Sequence, residues 1–367
     1  MTTPSMTAER TKLPENNLDV LRAIAVLLVL AGHTLESFGK PPRFIMWLSI
    51  AGVQAFFVHT SLVLMSSLER DDAPDKPGWV KRFYLRRALR IYPLVWAVIA
   101  LVLVFKIPRG LIPGSYEAPT LATVLANVVL MQDVAGLPNL QIAMWSLPIE
   151  VQMYLVLPVC YLVARNRKSW PTLLLIGVTV AGIFFYGWGR NNPAHRVAGL
   201  WRFPVLEYAP SFAMGILAYH LLRKRVSGGK ISSHIWIPLI VAAIAASGAY
   251  YATNGYMWGV RMAFCAVLGA TIPFIRDTAP SMLTRVAHTI AVYSYGVYLL
   301  HMSALRLGFS YFKDQPFAFQ CAAFVISLVV GCYIGHHLVE KPGIALGKRL
   351  LGEHTKAVSL EASAPAP

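Results

Sequence analysis

Charge is what this sequence has least of. Asp, Glu, Lys and Arg supply 14% of its 367 residues, where a soluble chain of this length carries about a quarter. Immersion in a bilayer explains that deficit better than a large soluble core, and a mean hydropathy of +0.54 agrees. Acidic residues are the scarcest, 17 against 33 Lys and Arg, for a formal net charge of +16. Nucleic acid is excluded as the partner of that excess. The basic residues lie in loops between apolar segments, where positive-inside bias puts them, and there is no zinc finger or other nucleic-acid motif. Cysteine is also sparse. Cys160, Cys265, Cys321 and Cys332 all lie in apolar segments and none is closely paired, which excludes a disulfide framework and leaves packing as their use. There is no phosphate-binding P-loop, no dinucleotide glycine fingerprint and no metal-ligand cluster. His336 and His337 stand beside Glu340, but adjacent residues of a helix point in different directions. The first apolar segment carries Asp19 and Arg22 and lacks a small-residue cleavage site, so it reads as retained rather than as a cleaved signal.

Long apolar runs are what is present. The fold class they imply is all-α, a polytopic transmembrane helix bundle. Ten spanning helices are expected near 17–37, 44–68, 88–106, 141–164, 171–188, 203–222, 234–252, 256–275, 286–306 and 317–339. Each approaches or exceeds the ~18–20 apolar residues that cross a bilayer. Leu121–Met131 is too short to cross and reads as an interfacial or re-entrant helix. Residues 1–15 form a flexible N-terminus, 16–352 a single membrane domain and 353–367 a disordered tail.

Basic residues orient the bundle. With the N-terminus inside, the segments on the inner side hold 22 Lys and Arg and those on the outer side nine. That bias predicts cytoplasmic N- and C-termini. Were the short piece to cross, the RNRK run at 165–168 and the RKR run at 223–225 would both move outside.

Within the first helix, "LDVLRAIAVLLVLAGHT" places Arg22 and His33 eleven residues apart. At 100° per residue they differ by about 20° around the axis and lie ~16 Å apart along it. Asp19 is close to the same stripe and within i, i+3 reach of Arg22. An arginine snorkelling to the interface beside Asp19 is the structural alternative for Arg22, and a hydrogen-bonded interior histidine the alternative for His33. Ionisable residues inside a membrane are functional candidates by default.

This first helix resembles that of the acyltransferase family 3 membrane proteins, with its arginine, ten intervening residues and histidine. Further stretches agree in the family's order: "GVQAFFVHTS" (52–61), "RFYLRRALRIYPLVW" (82–96), "WSLPIEVQMYLVLP" (145–158), "YSYGVYLLHMSAL" (293–305) and "VEKPGIALGKR" (339–349). Two departures concern the second helix, where His59-Thr60-Ser61 follows the phenylalanine pair and Gln54 replaces a common acidic residue.

The resemblance implies an integral-membrane O-acyltransferase of the bacterial inner membrane. Its donor would be cytoplasmic acyl-coenzyme A, with acetyl the expected group and no permanently bound cofactor. Its acceptor would be a hydroxyl of a carbohydrate or glycolipid, often on the outer side, in contact with membrane lipid. The residues suit this. His33 can serve as general base, because imidazole titrates near working pH. Glu150, level with His33, either orients or polarises it or holds the acceptor; a structural interhelical bond is the competing use. Arg86, Arg87 and Arg90 stand at the expected inner entrance of the third helix, where guanidinium forks suit the phosphates of coenzyme A, and Arg22 extends that path inward. Positive-inside anchoring alone also explains them. Ser146 shares a face with Glu150 and Tyr154. Trp145 either anchors at the interface or stacks on a sugar. Tyr298 and His301 share a face with Ser294 and are candidates for the acceptor site. A transporter or flippase is the rival reading, against which stand the absent internal repeat and the basic third-helix entrance.

Overall fold

A computed structural model describes residues 13–39, 41–70, 77–108, 116–166, 172–174, 176, 177, 179, 181, 205–224, 231–255 and 257–352. Among them the chain is helical, with no β-strand. In order come α1 (Glu15–Glu36), α2 (Arg43–Arg70), α3 (Trp79–Val104), the short α4 (Leu121–Val128), α5 (Ser146–Ala164), α6 (Val205–Lys224), α7 (Trp236–Asn254), α8 (Met257–Thr271), α9 (Met282–Leu305), α10 (Phe317–Ile334) and α11 (Lys341–Leu350). A 3₁₀ turn, Ile142–Trp145, leads into α5. π-helical turns follow α9 at Arg306–Tyr311 and α10 at Gly335–Glu340.

Seven helices among the described residues are long and apolar enough to cross a membrane: α1, α2, α3, α5, α6, α7 and the continuous rod from Phe317 to Leu350. Two more of the expected spans exist as helices. α8 has 15 residues, and α9 is long but interrupts its apolar face with polar groups such as Ser294 and His301. The remaining expected span, 171–188, lies mostly outside the described residues. The short helix falls at its expected place. Thr120 caps it by accepting from Thr123 N at 3.2 Å, and eight residues cover only about 12 Å.

Boundaries differ from the sequence reading at the last rod, which runs on to Leu350 instead of ending near 339, and at the third helix. α3 begins at Trp79 instead of near residue 88, because its start is set by Gly78, whose φ of 68° breaks the chain there. Hydropathy marks where apolar character begins, and the helix begins a turn or more earlier. Arg86, Arg87 and Arg90 therefore lie in the second and third turns of α3.

Neighbour contacts fix the helix directions. α2 runs against α1, since Gly52 meets Ala25 and Gly32 meets Ser49. A Cβ on Gly52 would stand 2.5 Å from the Ala25 carbonyl oxygen, and one on Gly215 of α6 would stand 2.2 Å from that of Val58. Glycine thus lets α1 and α6 close onto opposite sides of α2, the most enclosed of the seven; the α10 rod is the least. α9 runs parallel to α1, joined at rising levels by Asp19 to His288, Arg22 to Ser294 and His33 to His301. α5 runs against α9, pairing Ser146 with Tyr298 and Gln141 with Ser303. Fully buried Trp47 and Trp236 anchor α7: Trp47 Nε1 donates to the Ile244 carbonyl at 3.2 Å, and Trp236 Nε1 to that of Asn17 at 3.1 Å. Gln54 packs inward too. It accepts from the Ser211 hydroxyl, itself 3.3 Å from the Cys265 sulfur, and so ties α2 to α6 and α8.

Candidate active site

The seam between α1 and α9 carries the polar groups that hydropathy makes conspicuous. In the last turn of α1, His33 Nδ1 lies 2.9 Å from His301 Nε2. The two rings are nearly parallel, at 4°, and both are buried. On its far side His301 Nδ1 is 2.8 Å from the carbonyl oxygen of Tyr298 and 3.1 Å from that of Val297. A carbonyl only accepts, so Nδ1 of His301 carries its proton. In the neutral ring Nε2 is then a bare acceptor, and His33 Nδ1 must donate to it. The remaining nitrogen, His33 Nε2, is left with a free lone pair and no hydrogen-bond partner among the described residues. Two backbone carbonyls thus set the tautomer of one imidazole, and that imidazole sets the other. This is how a nitrogen base is held ready to take a proton.

Below this pair lies a cavity of about 280 Å³ enclosed by α1, α2, α3, α5 and α9. Four arginines line it, Arg22, Arg70, Arg87 and Arg90, against one carboxylate, Glu150. That imbalance suits an anionic ligand. Arg22 Nε donates to Ser294 Oγ at 2.7 Å. Arg90 Nη2 stands 3.6 Å from Glu340 Oε1, and Glu340 also meets His336 Nδ1 at 3.1 Å. Arg87 Nε is enclosed and has no partner. The Tyr154 hydroxyl donates to Glu150, one turn away on α5. At the end nearest the histidines, the hydroxyls of Ser146 and Tyr298 are 2.5 Å apart. Tyr298 joins the two regions: its ring lines the cavity, while its backbone carbonyl holds His301. Neither His33 nor His301 lines the cavity itself.

The candidates from sequence therefore divide. Arg22, Arg87, Arg90, Glu150, Ser146 and Tyr298 converge on the cavity; His33 and His301 form the pair beyond it. Arg86 does not line the cavity. Trp145 packs on Tyr208, ring centroids 5.2 Å apart. Asp19 pairs with His288 at 2.7 Å and not with Arg22. Glu150 makes no hydrogen bond to His33, a place His301 takes instead. Sequence reasoning weighed Glu340 only beside His336 and His337 and missed its place against Arg90; it is 1% exposed. The π-helical turn at Gly335–Glu340 brings it against Arg90. The signal was available, because the acidic residue of "VEKP" ends a long apolar run, where a carboxylate needs a partner.

Residues 15–336 match a family model described as an acyltransferase domain. The chain is 29% identical over 181 residues to the peptidoglycan O-acetyltransferase OatA of Listeria monocytogenes, a match covering 47% of this chain and 28% of that protein. It is 24% identical to the acyltransferase MdmB of Streptomyces mycarofaciens across 96% of this chain and 95% of that one. It is 22% identical to an O-acetyl transferase of Shigella phage Sf6 across 80% and 88% of the two. No solved structure matches.

Proposed function

We propose that this chain, which belongs to the acyltransferase-domain family and is a multi-pass membrane acyltransferase, moves an acetyl group from acyl-coenzyme A to a hydroxyl of a carbohydrate or glycolipid acceptor. The donor enters from the cytoplasm at the Arg70 end of the cavity, and the acceptor meets it near His33, toward the outer side of a bacterial inner membrane. Both termini are cytoplasmic. The observation that carries the reading is the 2.9 Å contact of His33 Nδ1 with His301 Nε2, which leaves His33 Nε2 as a base.

The roles follow from the atoms. His33 Nε2 takes the proton of the acceptor hydroxyl. The oxygen bonds to the thioester carbonyl carbon, the carbon–sulfur bond breaks, and the coenzyme A thiolate leaves with the proton that His33 held. His301 spreads the charge of the transient imidazolium and keeps its ring in place. The guanidinium groups of Arg22, Arg87 and Arg90 hold the anionic donor, and Arg86 adds positive charge beside them. Glu150 and Tyr154 position those cations from α5. Ser146 and Tyr298 stand where the thioester passes toward His33, and their hydroxyls are candidate donors to the oxyanion. Trp145 flanks the acceptor. The sugar-bearing acceptor is inferred from the names of relatives such as the peptidoglycan O-acetyltransferase.

Purified protein in nanodiscs, given radiolabelled acetyl-coenzyme A and membrane glycolipid extract, should transfer label to the glycolipid. His33→Ala should lose at least about 100-fold of that rate while binding the donor normally. A His33→Ala enzyme within threefold of wild type would remove the base assignment. Cysteines introduced at 114 and 167 should react from opposite sides of sealed vesicles; labelling from the same side would refute the orientation.

A further inference from the structure

His59 departs from the family pattern of the second helix and takes no part in the mechanism above. It is 6% exposed and lines the cavity at mid-depth on α2. At 1.5 Å per residue it lies about 16 Å along the helix from Arg70 at one end and about 9 Å from Val53 at the other. Several polar side chains around it are already engaged: Arg22 with Ser294, Arg90 with Glu340, Glu150 with Tyr154, and Ser146 with Tyr298. His59 is not. It hydrogen-bonds no described residue, and neither ring nitrogen is sealed inside protein. Both nitrogens therefore face the cavity without a protein partner, and a ligand that displaces solvent there must bring the partner with it, since an unpaired buried polar group is costly.

A neutral imidazole offers one N–H donor and one bare nitrogen acceptor. The matching ligand group presents an acceptor and a donor together and is itself uncharged, since Arg22 and Arg90 already serve anionic groups beside it. An amide has that character. On the reading of acyl-coenzyme A as the donor, on which this rests, the phosphates lie toward Arg70 and the thioester toward Ser146, Tyr298 and His33. The pantetheine arm that joins them carries two amides along its length. We propose that His59 is a donor-positioning residue that hydrogen-bonds a pantetheine amide and so sets how far the thioester reaches toward His33.

Calorimetric titration of the full-length protein in nanodiscs tests this with two probes. Acetyl-coenzyme A contains the arm; adenosine 3′,5′-bisphosphate contains only the nucleotide end. His59→Phe, which keeps ring volume and removes both hydrogen-bonding atoms, should weaken acetyl-coenzyme A binding about tenfold, as loss of a buried hydrogen bond does. Binding of the bisphosphate should stay within twofold of wild type. His59→Gln, whose side chain again offers a donor and an acceptor, should recover most of the loss. Equal weakening of both probes, no weakening of either, or no recovery in His59→Gln would overturn the proposal. If His59→Phe does not fold, the unmodified chain gives the same readout. Acetyl-coenzyme A should protect His59 from diethyl pyrocarbonate, and adenosine bisphosphate should not; equal protection by both would overturn it. A wild-type protein that binds neither probe would remove the donor reading itself, whereas normal binding by wild type and His59→Phe alike would remove only the role of His59.

Discussion

The α1–α9 seam is two different environments about three helical turns apart. At the His33 end two backbone carbonyls dictate where each proton of the histidine pair sits, and His33 Nε2 alone is left free. At the Arg22 end the charges are unbalanced, four arginines to one glutamate around an open volume, and one guanidinium nitrogen of Arg87 is unpartnered. Proton transfer gains from groups that need no rearrangement when charge appears. Ligand capture gains from groups whose best partner has yet to arrive. On the proposed function the same pair of helices would serve both, because position along the seam, and not fold, decides which.

Disabling the fixed end should have the largest effect. His301→Ala removes the acceptor for His33 Nδ1–H and frees the ring to adopt the other tautomer. We expect the transfer rate constant to fall about 100-fold with the Michaelis constant for acetyl-coenzyme A little changed. His301→Gln should restore part of the rate, since an amide oxygen can accept the same proton. Steady-state kinetics in nanodiscs separate the outcomes, and a selective rise in the donor Michaelis constant would erase the contrast between the two ends. A smaller, opposite effect should follow from Arg90→Ala at the open end. Loss of one charge-assisted contact, worth about 1.5–3 kcal/mol, should weaken acetyl-coenzyme A binding at least tenfold while the rate at saturation falls less. Arg90→Lys should recover only part, because an ammonium lacks the guanidinium fork. Smallest of all should be His288→Ala. Its pairing with Asp19 lies at the rim, with side chains 67% and 30% exposed, and such pairs contribute about 0–1 kcal/mol. Transfer should stay within twofold and the thermal unfolding midpoint should barely move. A large loss would show that the seam's anchoring reaches past Arg22.

Much of this was legible in the sequence for one reason: ionisable residues are expensive in an apolar helix, so each is a marker. Arg22 and His33 were found on that ground, and turn arithmetic placed them on one face, which α9 covers. Partners were harder to read. Whether His33 meets Glu150 or His301 depends on how α5 and α9 are staggered against α1, and no single-helix periodicity encodes stagger. Glu150 is instead taken up by Tyr154 on its own helix. The start of α3 was misplaced because Gly78, not apolar character, sets it. The partner of Glu340 was hidden because a π-helical turn changes the residue count per turn just where it sits. Asp19 and Arg22 satisfied the i, i+3 rule and still chose partners on α9, since the rule describes an isolated helix.

The three rungs that tie α1 to α9 have a mechanical consequence. They lie at successive heights on two parallel helices, so neither helix can slide by one turn, about 5.4 Å, without parting the His33–His301 contact, the Arg22–Ser294 bond and the Asp19–His288 pair together. A carrier that exposes its site to each side in turn would have to break this ladder or swing both helices as one beam. On the proposed function the ladder favours a stationary workbench, to which donor arm and acceptor would both travel.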